Sequence, residues 1–189
     1  MLRKSWSFPS TKLIYAAAVL YVLSAYLIPI LFLVTGSAEE EGASTFPSWI
    51  LLVPIILGLV NLTIVLTAKQ KIQRKQLLVC SMIIKYGLIP FYIMGGLCIA
   101  VSLLLMFTPL VFMIFIGPML AFMLAVYGWI ILLGAAPYSV GYIVRCYREE
   151  IYSKALLIIS AIMQFFFTMD VIFITVLAIK EKKQAAVKK

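Results

Sequence analysis

The chain has 189 residues, 65% hydrophobic and 12% charged, with a mean hydropathy of +1.13. A water-soluble domain of this size cannot hide that much apolar surface, so the composition predicts an all-α integral membrane protein in which lipid solvates the apolar faces. The net charge of +9 then belongs to cytoplasmic loops and anionic lipid, and nucleic-acid binding is excluded for want of a folded polar domain.

Residues 1–12 carry Arg3, Lys4 and Lys12 and predict a cytoplasmic N-terminus in the plasma membrane. Residues 13–34 follow as a first span, long enough at ~1.5 Å per residue to cross ~30 Å of hydrocarbon. Pro29 predicts a kink near its outer end. A signal peptide is the competing reading, but the apolar run exceeds the ~7–15 residues of such a segment, which favours an uncleaved helix. Residues 35–47, with Glu39, Glu40 and Glu41, read as a solvated acidic loop, because three consecutive carboxylates do not converge on one metal ion. Residues 49–68 form a second span with Trp49 at interface level and Asn61 as its one strongly polar side chain. Asn61 is expected to bond a neighbouring helix.

The loop 69–75 holds Lys69, Lys71, Arg74 and Lys75 without an acid and is the firmest cytoplasmic marker. Residues 76–145 carry one charge before Arg145, namely Lys85. Thr108-Pro109 reads as an N-cap followed by a first-turn proline. It divides the stretch into spans 78–107 and 109–144, two long helices kinked at Pro90, Pro118 and Pro137. On this count Lys85 lies at the inner interface and snorkels to water. Gly117, Ala121, Ala125 and Gly128 form a small-residue stripe that predicts a helix–helix contact, within the protein or between copies. Tyr138, Tyr142 and Tyr147 read as interface-belt residues. Glu150 and Lys154 are spaced for a weak pair on an exposed helix start.

The last span is 155–179, giving a single domain of five transmembrane helices. A sixth crossing is obtained if 76–145 turns at Gly95-Gly96 and Gly117-Pro118. A re-entrant last segment is the third arrangement. The span contains Asp170, the only aspartate in the chain, ten residues before Lys180. A carboxylate at membrane depth costs at least ~2.5–3.5 kcal/mol and so needs a partner, water or a proton. With five crossings Asp170 lies in the outer leaflet and cannot meet Lys85. With both termini cytoplasmic the two share one depth and can neutralise each other. Gln164 falls about 120° round the same helix from Asp170 at 100° per residue, so the two do not form one polar stripe.

No catalytic, metal or cofactor site is expected. The chain lacks histidine, the commonest general base and metal ligand, and Cys80, Cys98 and Cys146 show no paired spacing. The polar candidates are therefore Asp170, Lys85, Asn61 and Gln164. The function expected is that of a non-catalytic subunit, regulator or scaffold working through helix packing, its partners being membrane lipids and a second copy or another membrane protein. The alternatives are a small carrier or channel component with Asp170 as a proton or cation site, and a membrane-embedded enzyme on a lipidic substrate.

The runs Lys85-Tyr86-Gly87-Leu88-Ile89-Pro90-Phe91-Tyr92 and Ala136-Pro137-Tyr138, with Asp170-Val171-Ile172, resemble an uncharacterised family of small membrane proteins from Gram-positive bacteria. The resemblance covers roughly residues 76–180. It implies a plasma-membrane location and transfers no activity.

Overall fold

A computed structural model describes residues 11–36, 48–68, 72–108, 112–164 and 166–187. Residues 1–10, the acidic loop from 37 to 47 and Lys69 lie outside these. Among the described residues the chain is all-helical: α1 (Thr11–Gly36), a 3₁₀ turn (Ser48–Leu51) leading into α2 (Leu52–Ala68), α3 (Arg74–Leu104) with a closing 3₁₀ turn (Leu105–Phe107), α4 (Met113–Arg148), α5 (Lys154–Met163) and α6 (Phe167–Val187). Three of these segments, Lys12–Leu31, Arg74–Phe107 and Met113–Arg148, are long and apolar enough to cross a membrane.

The middle of the chain is one hairpin. Helix α3 runs unbroken through Pro90 and through Gly95-Gly96, and α4 through Pro118 and Pro137, which excludes the turns needed for a sixth crossing. Thr108 ends a helix rather than starting one: its hydroxyl donates back to the Leu105 carbonyl at 2.7 Å, and α4 begins at Met113. The start of α3 is shaped by Gln76, whose side chain accepts the Gln73 N–H at 3.1 Å.

Side-chain contacts give the directions of the helices. Tyr26 donates to the Gly87 carbonyl at 2.6 Å and accepts the Phe91 N–H at 3.2 Å, while Val22, one turn earlier on α1, packs against Gly87, one turn earlier than Phe91, so α1 runs parallel to α3. Tyr21 on α1 donates to the Ile131 carbonyl of α4 at 2.6 Å. Helix α2 runs parallel to α4. Tyr138 meets Asn61, and Gly58 faces Gly134 so closely that a Cβ on Gly58 would stand 3.0 Å from the Gly134 Cα. Glycine is required there because two helix backbones touch.

The expected fifth span is not one helix. It breaks at Gln164, and its two parts fold back on each other. Arg74, at the start of α3, bonds both Glu149, just past the end of α4, and Glu181, near the end of α6. Helix α5 therefore leaves this charged end and α6 returns to it. The turn lies about 15 Å in, given ten helical residues at ~1.5 Å each. Between α4 and α5, Glu150 adopts φ 51° in the turn, so Glu150 and Lys154 do not share a helical face.

The core is densest in the half nearest that charged end. Tyr21, Ile84, Leu88, Ile131, Tyr138, Tyr142, Ile174 and Leu177 have no exposed surface. Phe91 closes it from above, edge-on to Tyr26 and Tyr127 at centroid distances of 6.0 and 5.9 Å. Beyond Phe91 the apolar side chains turn outward: Phe115 is 75% and Phe107 83% exposed.

Candidate functional site

The α3–α6 seam has a regular register. Arg74, Leu78, Ser81 and Lys85 recur at spacings of 4, 3 and 4 on α3. Asp170, Ile174, Leu177 and Glu181 do the same on α6. Eleven residues make just over three helical turns, so each set occupies one face. Because the helices are antiparallel, Arg74 falls opposite Glu181 and Lys85 opposite Asp170, and both pairs form.

The inner pair is a contact between the Lys85 Nζ and the Asp170 Oδ2, with no exposed surface on either residue. Lys85 does not snorkel, and the two charges expected on opposite sides of the membrane are in contact. The reason is the break at Gln164, which returns α6 to the charged end instead of carrying it across. The break also places Asp170 in the first turn of α6, where unpaired backbone N–H groups favour a negative charge.

The outer pair belongs to a network. The Arg74 guanidinium donates to the Glu181 Oε1 at 2.6 and 3.1 Å and to the Glu149 Oε2 at 2.8 Å. Tyr142 donates to the Glu181 Oε2 at 3.1 Å, and Arg145 lies 3.4 Å from the Glu149 Oε1. Glu181 is 6% exposed, so each of its oxygens is answered as burial requires. Lys180 stands 6.0 Å over the Tyr152 ring, whose phenol burial pushes above the ordinary tyrosine range. Tyr142 and Tyr138 are interior residues, not belt residues. Tyr147, 48% exposed, faces outward.

The other polar candidates stand apart from the pair. Asn61 accepts the Tyr138 hydroxyl at 3.1 Å across α2 and α4. Gln164 is fully buried at the α5–α6 turn, and its angular relation to Asp170 on a continuous helix does not apply. Among the described residues the Gln164 amide, the Ser81 Oγ and the Asp170 Oδ1 have no hydrogen-bond partner. In the small-residue stripe, Gly117 seats α4 on α3, since a Cβ there would meet the Ser102 carbonyl oxygen and stand 3.3 Å from the Met106 nitrogen. Ala121 is buried, while Ala125 and Gly128 are half-buried. The contact at Gly117 is thus within one chain.

Glu181 and Arg74 are participants that sequence reasoning missed. The signal for them was the matched interval of eleven residues from Arg74 to Lys85 and from Asp170 to Glu181. Among the described residues no group of three His, Cys, Asp or Glu side chains is gathered for a metal ion.

Residues 11–183 match the profile of a family described as Family of unknown function (DUF6652). No curated protein and no solved structure matches the chain.

Proposed function

The chain belongs to this family of unknown function, and on that premise we propose a non-catalytic integral membrane protein that serves as a subunit or regulator through helix packing. Four segments cross the bilayer, namely α1, α2 with its 3₁₀ turn, α3 and α4. Helices α5 and α6 form a re-entrant hairpin entering from the cytoplasm. This arrangement gathers every Lys and Arg of the described termini and turns at one end, as the positive-inside rule demands, and leaves only Lys85 within the membrane. Both chain ends are cytoplasmic. Non-helical backbone at half depth is tolerated because the α5–α6 turn packs against protein, as the full burial of Gln164 supports.

The observation that carries the reading is the Lys85–Asp170 pair. Two ionisable groups at membrane depth neutralise each other with no exposed surface, which fits a lock for the hairpin better than a site that must reach solvent or substrate. A reporter fused after Lys189 is expected on the same side as one fused before Met1. Opposite sides would restore a fifth crossing and overturn the hairpin. In proteoliposomes of the purified chain, proton and cation flux is expected to stay at the level of empty vesicles.

A second reading, a small carrier, is favoured by the Asp170 Oδ1, the Ser81 Oγ and the Gln164 amide, which are buried without hydrogen-bond partners among the described residues. Broken helices at half depth commonly frame ion sites. A flux that Asp170→Asn abolishes at unchanged expression would establish this second reading and sink the first.

A further inference from the structure

A groove of about 1070 Å³ lies between α2 and α4, apart from the buried Lys85–Asp170 pair. Its apolar walls include Leu59, Leu62, Leu133 and Val140, and Gly134 and Gly141 are among its lining residues. Its lower mouth is formed by Arg145, Arg148 and Glu149. Glu149 is already engaged, by Arg74 at 2.8 Å and by Arg145 at 3.4 Å. Arg148 is exposed at the same mouth.

We propose that this groove holds one acidic phospholipid of the cytoplasmic leaflet, its phosphate at Arg148 and Arg145 and its acyl chains along α2 and α4. The inference rests on the membrane reading above. Charge complementarity selects the headgroup, because the mouth is net cationic and its one carboxylate is satisfied by protein. Dimensions select the tails. From Ile130 to Val144 the apolar wall is about 21 Å long at ~1.5 Å per residue, somewhat more than one ~15 Å leaflet.

The test is native mass spectrometry of the full-length protein in detergent with equimolar phosphatidylglycerol and phosphatidylcholine. The native protein is expected to retain phosphatidylglycerol about fivefold over phosphatidylcholine. Arg148→Gln should bring the two close to parity. Leu133→Trp, at a half-exposed wall position, should reduce retention of both. Equal retention of the two lipids by the native protein overturns the proposal, as does a preference that neither variant changes. Release of the bound lipid by glycerol phosphate alone at equal concentration overturns the role given to the tails. A dimer that Leu133→Trp dissociates would assign the groove to a second copy instead. A chain that folds in detergent yet shows no lipid preference fails here and leaves the membrane reading standing. One that stays folded and monodisperse in plain buffer defeats that reading itself.

Discussion

The two halves of the helical bundle, divided at Phe91 and Tyr127, are built on opposite terms. The half with the charged end contains six helices, two registered ion pairs and side chains such as Ile84, Leu88 and Tyr142 that have no exposed surface. The other half is mostly the α3–α4 hairpin and the ends of α1 and α2, with Ile93, Leu97, Leu104, Phe115 and Phe122 turned outward. On the membrane reading proposed above, lipid accounts for the contrast. Hydrocarbon covers an apolar side chain as well as protein does, but it cannot satisfy an ammonium or a carboxylate. Protein accumulates where the ionisable groups are, and the α5–α6 hairpin reaches only as deep as Lys85 and Asp170 require.

The largest break in this comparison should come from Lys85→Met. It strands a buried carboxylate, and about 3–5 kcal/mol of stability is expected to be lost in a detergent thermal melt. Lys85→Met combined with Asp170→Leu should recover most of the loss, since paired apolar replacements of a buried ion pair are often neutral. A double variant as unstable as the single one would show that the ions do more than cancel each other.

In the outer half, the contact at Gly117 is the exception. Gly117→Leu forces a side chain into the backbone of α3 at Ser102 and of its closing 3₁₀ turn at Met106, and about 1–3 kcal/mol should be lost. Normal melting of this variant would mean that the hairpin tip separates at no cost. Tyr138→Phe removes only the hydroxyl that Asn61 accepts, and a drop of about 1 kcal/mol is expected on the same melt. The smallest effect belongs to Gly95→Leu, where a Cβ meets nothing within 4 Å. Its stability should stay within about 0.5 kcal/mol of the native protein. A large loss there would reveal a partner covering α3.

Much of the first two-thirds of the fold was legible residue by residue. The apolar runs around α1, α2 and α3 were readable as helices because length and hydropathy decide whether a segment can lie in hydrocarbon. The end of a helix near Phe107 followed from Thr108-Pro109, although the next helix starts at Met113. The break at Gln164 was not legible. No proline or glycine marks it, and the residues around it, three phenylalanines among them, are as apolar as those of a continuous span. Reading one helix there separated Asp170 from Lys85 and hid the partnership of Arg74 with Glu181, while the count back from Phe107 had already set Lys85 at an interface.

The sequence by itself determined that the chain is helical, apolar and basic at its turns, because those properties are sums over local composition. It also held the paired intervals of eleven residues, which commit Arg74, Lys85, Asp170 and Glu181 to single helix faces once the helices exist. Only the tertiary structure decided that those faces meet. Antiparallel register between segments 85 residues apart depends on where the chain turns back, and no local propensity encodes the energy that two buried charges gain by finding each other.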